Sequence, residues 1–338
     1  MASPTSLDTP VVDTHAHVFL PGVLGACGEA GPELLDDAQR EQAFRAGGYT
    51  IRGVKFHPSP MSDLDLRLAL MDKMGIARQV LSPYPMVYFY DQPAPVAARF
   101  CARHNDEMAA LVARAPDRLA GLATLPMQDP VAAHTELVRA LDELGLKGAS
   151  IGGRYGDREL SDRCYDPLWE TLAARKLPAF IHPGPMDAGG KRSLTRWDLE
   201  LVVGFAIDET LAITQLVFGG VLDRHPGLTA VVPHGGGFAP FVQSRFLMAL
   251  EKRPWGKTAL ARPFADIWQQ MVFDCLVHDT TTLEYLIRSQ GAERIVLGTN
   301  FAAWDQDDHV VGQVAGLDLP SAQRAAILGA NALRLFRL

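Results

Sequence analysis

The chain has 338 residues, which suits one barrel of alternating strands and helices, and 48% of them are apolar, enough for a large core. The formal charge of −7 argues against a nucleic-acid surface, and the sequence shows neither a signal peptide nor the run of about eighteen apolar residues that spans a membrane. The four cysteines are scattered without a C-x-x-C pair, which favours reduced thiols and a cytoplasmic location over a disulfide framework.

Short apolar segments alternate with helical patterns along the chain. The predicted strands are 11–17, 76–81, 119–125, 147–151, 178–182, 228–232, 271–275 and 294–298. The predicted helices are 63–74, 95–115, 129–144, 165–175, one or two within 197–223, 280–290 and 320–336. This alternation predicts one domain, 1–338, with a parallel sheet closed into a (β/α)8 TIM barrel. A doubly wound open sheet is the alternative, which the absence of G-x-G-x-x-G after the first strand weakens.

The segment after the first strand, at about 19–56, reads as an insertion that distorts the barrel. It begins with glycines and prolines, continues with a polar, helix-like stretch at about 33–46, and ends with a short strand or hairpin arm at 51–56. The sequence therefore predicts an irregular and partly helical insertion.

A His-x-His pair lies in the first predicted strand. Side chains alternate along a strand, so His15 and His17 are expected to point to the same face. Two imidazoles on one face of a buried strand are costly to desolvate unless something binds them, and a divalent metal does so. The alternative is a pair of ordinary surface histidines beside a turn.

Histidines concentrate where barrel enzymes have their active sites, at the C-terminal ends of the strands. Half of the ten histidines are at or just after predicted strands: His15, His17, His182, His234 and His278. The pattern favours a metal site, because imidazole is both a common metal ligand and the usual general base near neutral pH. His182 has the alternative role of a core histidine. From these residues alone, which histidine binds metal and which handles a proton stays open.

Five motifs carry a resemblance that covers nearly the whole chain. They are D-T-H-A-H at 13–17, F-I-H-P at 180–183, F-G-G-V-L-D-R-H-P at 218–226, P-H-G-G-G-F-A-P at 233–240 and L-V-H-D at 276–279. With this ordered set the chain resembles the amidohydrolase superfamily, in the decarboxylase branch related to α-amino-β-carboxymuconate-ε-semialdehyde decarboxylase. The resemblance implies a barrel enzyme that is a homodimer and binds one divalent metal, zinc in preference to manganese.

The resemblance also assigns roles to individual residues. It implies that His15, His17 and His182 are metal ligands and that His234 is the catalytic acid or base. It further implies that two arginines bind a substrate carboxylate, Arg245 across a dimer interface and Arg52 near the insertion, although surface salt bridges are the alternative for both. Trp197, Lys191 and Arg192 belong to a loop expected over the site, where they contact an anionic aromatic ligand or form a solvated basic loop.

One departure from the family pattern concerns Asn300. The sequence has G-T-N at 298–300 where the family has G-T-D, and a carboxamide neither carries charge nor exchanges a proton at neutral pH. Asn300 is therefore a weaker metal ligand and an altered catalytic residue. Three explanations of this replacement are open. It is engineered, it is natural and the metal is held by three histidines, or the side chain of Asp305 reaches the metal in place of residue 300. The differing sequence after Asn300 favours natural divergence.

The leading functional hypothesis is a metal-dependent decarboxylase acting on a small carboxylated aromatic or muconate-like substrate. His234 and His278 are the candidates for assisting proton delivery to the carbon that loses CO2. The alternative is a hydrolase or hydratase that uses metal-bound hydroxide on the same scaffold, with His234 as the base. A third possibility is a barrel that has lost catalysis and binds a ligand or partner, for which Asn300 is the only support.

Overall fold

The computed structural model describes residues 9–36, 42–52, 54–155, 157–184, 194 and 197–338. Its strands are β1 (Val12–Val18), β2 (Glu33–Asp36), β3 (Gln42–Ala46), β4 (Tyr49–Arg52), β5 (Arg78–Pro83), β6 (Leu119–Gly121), β7 (Ala149–Ile151), β8 (Arg154–Tyr155), β9 (Arg158–Glu159), β10 (Ala179–Ile181), β11 (Ala230–Val232), β12 (Met271–Asp274) and β13 (Ile295–Val296).

Parallel strands close into a barrel. One set has the order β1-β5-β6 and a second has the order β7-β10-β11-β12-β13, and every pairing within both sets is parallel. Parallel bridges join the sets, from Ala123 to Ala149 on one side and from Ala16 to Phe301 on the other. The predicted (β/α)8 barrel is therefore confirmed, and all eight strands deliver their C-terminal ends to one rim.

Helices follow the barrel strands along the chain. They are α1 (Leu64–Met74), α2 (Ala94–Ala113), α3 (Pro130–Asp142), α4 (Asp166–Arg175), α5 (Phe205–Phe218), α6 (Val221–Arg224), α7 (Ala239–Lys252), α8 (Phe264–Trp268), α9 (Thr280–Gln290), α10 (Val310–Gly316), α11 (Ser321–Ala325) and α12 (Asn331–Phe336). Asp63, Asp129 and Asp279 cap α1, α3 and α9 by accepting backbone N–H groups, which explains where these helices begin.

An apolar layer seals the lower part of the barrel. Seven of its buried side chains come from barrel strands or from the residue after a strand: Val12, Val80, Leu122, Phe180, Val231, Val272 and Val296. The last helix, α12, adds Ala332 and Phe336. Because this layer fills the interior, the polar residues of the barrel are confined to its C-terminal rim.

The insertion differs from its prediction. The helix-like stretch predicted at 33–46 is wrong: β2, β3 and β4 form a small antiparallel sheet, with residues 37–41 outside the described residues. Cross-strand pairing and burial override the weak helical pattern, because Phe44 of β3 stacks on Phe56 at 4.7 Å and packs edge-on against Phe19 and Tyr84. This aromatic contact fixes the small sheet beside the barrel rim.

Among the described residues, one helical stretch is long and apolar enough to cross a membrane, Glu200–Phe218, which runs through a π-helical turn into α5. Within this stretch, the acidic residues Asp208 and Glu209 interrupt the apolar sequence, and both are buried. This helix therefore has the character of a packed element of the barrel that carries a carboxylate inward.

Candidate metal centre and active-site cavity

Three histidines bring nitrogen atoms together at the C-terminal rim. His15 and His17 lie on β1, and His182 directly follows β10. The Nε2 atom of His15 lies 3.3 Å from that of His17 and 3.2 Å from that of His182. Nitrogen ligands about 2.0–2.1 Å from a tetrahedral metal lie roughly 3.4 Å apart, so this cluster has nearly the spacing that a metal requires.

The outer nitrogens of these rings fix which atoms face the cluster. His15 Nδ1 lies 2.8 Å from Asp274 Oδ2, and His182 Nδ1 lies 2.7 Å from the Pro183 carbonyl. A carboxylate and a carbonyl only accept hydrogen bonds, so both Nδ1 atoms are donors and both Nε2 atoms carry lone pairs. His17 Nδ1 lies 3.0 Å from Ser82 Oγ. The converging lone pairs repel one another unless a cation lies between them.

Burial keeps the three rings uncharged. Desolvation lowers the pKa of His15 and holds the pKa values of His17 and His182 well below their ordinary value. Metal ligation requires neutral imidazole, so the protonation state agrees with the geometry. The residues present therefore fit a divalent metal, with His15, His17 and His182 as one candidate ligand set.

Two buried aspartates support the cluster. Besides holding His15, Asp274 accepts the backbone N–H groups of Gly235 and Leu276. Asp13 accepts hydrogen bonds from the His15 amide, from Gln79 and from Thr299, and so ties β1 to β5 and to the segment after β13. Such carboxylate–histidine contacts orient metal ligands and strengthen their basicity. Asp274 has no role in the prediction from sequence. The only signal for it there is that an acidic residue ends an apolar strand.

His234 lies next to the cluster and is paired with a buried acid. Its ring centroid is 5.0 Å from that of His15, and its Nδ1 lies 2.6 Å from Oε1 of Glu209 on α5. Burial disfavours the imidazolium, but the Glu209 carboxylate outweighs it and raises the pKa of His234. Glu209 is not among the residues predicted from the sequence, although an acidic residue within an apolar helix is a usable signal.

Nitrogen atoms of His15, His182 and His234 also lie within 4.8 Å of one another, so a second ligand set has to be weighed. We favour His17 over His234 as the third ligand for two reasons. The contact that is specific to the first set, from His15 Nε2 to His17 Nε2, is 3.3 Å, close to the separation of two nitrogen ligands on one metal. The Glu209 carboxylate also raises the pKa of His234 and so favours the doubly protonated imidazolium, which has no lone pair for a metal.

Left-handed backbone recurs at the rim. His234, His278 and Asn300 follow β11, β12 and β13 and have φ values of +48°, +56° and +50°. A residue held in this region costs on the order of 1–3 kcal/mol and persists only where the surrounding structure enforces it. All three line the same cavity, so the strain coincides with the candidate active site.

Asn300 and His278 contact the same carboxylate. Asn300 is buried and its Nδ2 donates to Asp305 Oδ1, while its Oδ1 has no hydrogen-bond partner among the described residues. His278 Nε2 lies 3.5 Å from Asp305 Oδ2, a contact that raises the pKa of His278. A buried carbonyl oxygen without a partner, in the cavity that His17 and His182 also line, is a further sign that a cation belongs here.

A cavity of about 400 Å³ opens above these residues. Its described lining combines the polar groups His17, His182, His234, His278, Thr282, Asn300 and Asp305 with a mainly apolar wall that includes Ile51, Tyr84, Met86, Leu201, Val202, Phe205, Leu276, Val277 and Trp304. This volume and polarity are typical of a site for one small, largely apolar ligand.

The predicted substrate-binding residues lie outside this described lining. Arg52 is exposed because side chains alternate along β4, where Ile51 faces the cavity and Arg52 faces away. Arg245 is exposed on α7, and Trp197 is exposed as well. Lys191 and Arg192 lie outside the described residues. Among the described lining residues there is no lysine or arginine.

Comparison with known proteins places this site in a family. The amidohydrolase family profile matches residues 12–338. The chain is 31% identical to the 2-amino-3-carboxymuconate-6-semialdehyde decarboxylase of Dictyostelium discoideum, over 82% of this chain and 77% of that protein. It is 30% identical to the γ-resorcylate decarboxylase of a Polaromonas species, over 81% and 87% of the two chains.

A solved structure of a dihydroxybenzoic acid decarboxylase from Polaromonas, which contains manganese and the inhibitor 2-nitroresorcinol, matches with a TM-score of 0.77. It is 26% identical and the match covers 98% of this chain and 97% of that chain. Together with the histidine cluster, these similarities support a divalent metal at the rim. The chain therefore belongs to the amidohydrolase family and is a metal-dependent enzyme, as its sequence predicts.

Proposed function

We propose that the enzyme is a carboxy-lyase that removes the carboxylate of a small aromatic acid as CO2. The observation that carries this proposal is the three-histidine cluster at the base of a mainly apolar cavity large enough for one substituted ring. The decarboxylases to which the chain is similar add support, since the muconate semialdehyde and resorcylate enzymes both release a carboxyl group.

The cavity wall favours an aromatic substrate over an open-chain, muconate-like one. Leu201, Phe205, Leu276 and Trp304 offer apolar and aromatic contact to a flat ring. We therefore place one carboxylate at the histidine cluster and the ring between these side chains.

Zinc is the metal that this donor set suits best. Imidazole nitrogens are good zinc ligands, whereas manganese prefers carboxylate and carbonyl oxygens. The side chains that would hold the ion are His15, His17 and His182, and the Asn300 oxygen, which lacks a hydrogen-bond partner among the described residues, is a candidate for a fourth ligand. When bound, the divalent ion supplies Lewis-acid polarisation of the substrate's oxygens.

His234 supplies the proton in the proposed reaction. The bond between the ring carbon and the carboxyl carbon breaks, CO2 leaves, and the electron pair stays on the ring carbon. That carbon takes a proton from His234 Nε2, while Nδ1 remains hydrogen-bonded to Glu209 at 2.6 Å. Asn300 cannot act as this acid, because an amide does not give up a proton at neutral pH.

The test is a panel of hydroxylated and methoxylated benzoic acids, with a muconate-like diacid for comparison, read by product mass. We expect products that have lost the mass of CO2 from aryl acids and weak turnover of the diacid. Products that have gained the mass of water, from lactones, diketones or double bonds, would instead establish the hydrolase or hydratase alternative.

We also propose a homodimer that uses an apolar face of α7. Phe241 is 78% exposed and Met248 is 51% exposed, and Phe238 and Arg245 lie on the same side of the helix, at spacings of three to four residues. Exposed apolar patches of this kind mark protein contacts. A second copy that covers this face brings Arg245 to the partner's substrate, as the resemblance implies.

Changing Arg245 to alanine is expected to raise KM roughly 10- to 100-fold, because a charged hydrogen bond to a carboxylate contributes about 1.5–3 kcal/mol. Lys252→Ala removes an exposed cation from the same helix and is the control, with unchanged KM. Light scattering of the parent and of Phe241→Glu tests the interface. A parent that is monomeric at assay concentrations would exclude a role for Arg245 across a dimer.

A further inference from the structure

The groups proposed to bind the metal carry no negative charge of their own. His15, His17 and His182 bind a metal as neutral imidazoles and Asn300 is a neutral amide, while the Asp274 carboxylate is hydrogen-bonded to His15. A dication bound only by neutral groups in a buried site is poorly compensated, so a nearby anion is expected to contribute to metal affinity.

Asp305 is the carboxylate in the right place. It is the only acidic residue among the described residues that line the cavity, and its side chain is 16% exposed. One oxygen accepts from Asn300 Nδ2 and the other faces His278 Nε2 at 3.5 Å. Asp305 therefore lies between the buried amide and the cavity edge.

The segment after β13 is shaped to place this carboxylate. Asn300 and Ala302 both have left-handed backbone, with φ values of +50° and +66°, and the Ala303 amide donates back to the Asn300 carbonyl at 3.0 Å. The Asp307 amide then donates to the Thr299 carbonyl at 3.0 Å, which closes the loop. This turn brings residue 305 back over residue 300.

We propose that Asn300 and Asp305 act together as one ligand unit of the metal site. The Asp305 carboxylate accepts from Nδ2 of Asn300 and thereby fixes the amide with Oδ1 free for the metal. The same carboxylate supplies the negative charge that the amide lacks. Asp305 is thus a positioning residue that acts on the metal through Asn300, an inference that rests on the proposed metal site.

The test is metal affinity, measured by calorimetric titration of zinc into the metal-free enzyme. Asp305→Asn is expected to weaken the zinc Kd by about 10- to 100-fold, the range seen when groups that orient metal ligands are removed. Asp308→Asn removes one exposed carboxylate three residues away and is the matched control, with an unchanged Kd. Equal Kd values for the parent and Asp305→Asn would overturn the proposal.

Exchanging the two side chains separates this role from a general effect on folding. Asn300→Asp combined with Asp305→Asn moves the charge to position 300 and keeps a carboxylate–amide pair, so we expect a Kd within a few-fold of the parent. The pairing would be contradicted if the double variant bound zinc no more tightly than Asp305→Asn while its melting temperature without metal equalled that of the parent.

These outcomes are distinguishable from those of the proposed function. If aryl acids release no CO2 but Asp305→Asn still weakens zinc binding, the decarboxylase assignment fails and the ligand unit stands. If the parent releases CO2 but Asp305→Asn leaves the zinc Kd unchanged, the ligand unit is refuted and the decarboxylase assignment stands.

Discussion

Replacing His182 by alanine is expected to remove the metal and to lower kcat/KM by at least about 10³-fold, because Lewis-acid stabilisation contributes several kcal/mol to the transition state. His182 Nε2 lies 3.2 Å from His15 Nε2 and is held in place by the hydrogen bond of its Nδ1 to the Pro183 carbonyl. Its loss leaves two imidazoles where the structure brings three together, and metal affinity falls with the missing ligand.

Elemental mass spectrometry and a CO2-release assay check this prediction together. His309→Ala is the control, since His309 is exposed and does not line the cavity. A His182→Ala protein with full metal content, or a metal-free one with parental turnover, would refute the role given to the cluster. Circular dichroism of both variants establishes that the barrel is folded.

Replacing His234 by glutamine is expected to lower kcat by roughly 10²–10⁴-fold, the usual contribution of a positioned acid or base. Metal content should be retained, because we assign His17, whose Nε2 lies 3.3 Å from that of His15, and not His234 as the third ligand. This combination of lost turnover with bound metal separates a proton donor from a ligand. If the ion is lost as well, His234 belongs to the ligand set.

Glu209→Gln tests the same proton through its partner. The Glu209 carboxylate raises the pKa of His234, so its removal lowers that pKa. A protonated donor is active below its pKa and loses activity as pH rises through it. The variant is therefore expected to lose kcat at lower pH than the parent, with KM little changed. If kcat of the variant falls at the same pH as kcat of the parent, Glu209 has only a structural role.

The barrel could be predicted because its strands are buried on both faces. Such strands appear as short apolar runs, and each predicted segment overlaps a barrel strand of the structure. The convergence of His15, His17 and His182 followed from the same fact, since strand ends meet at one rim. Burial and strand order alone specify the barrel and the position of these histidines, so their prediction does not depend on knowing individual long-range contacts.

The insertion and the supporting shell were not predictable in the same way. The pairing of β2, β3 and β4 depends on the packing of Phe44 against aromatic residues elsewhere in the chain, which local periodicity does not record. Glu209 and Asp274 act through contacts 25 and 259 residues away in sequence. The predicted cytoplasmic location stays a prediction.

Asn300 shows what could and could not be predicted from the sequence. The residue types left three explanations open, and only coordinates place the Asp305 carboxylate against the Asn300 amide. For Arg52 the decisive fact was equally local, because its direction depended on which residue of β4 faces the cavity. At both positions the roles given to these residues stay predictions, because the sequence does not record which way their side chains point.

The most direct test of the account is the metal content of enzyme purified without chelator, with CO2 release from an isotope-labelled aryl acid measured before and after metal removal. We predict about one divalent ion for each three-histidine cluster, loss of CO2 release when the ion is removed, and its return when zinc is restored. A metal-free protein that releases CO2 at the undiminished rate would contradict the account.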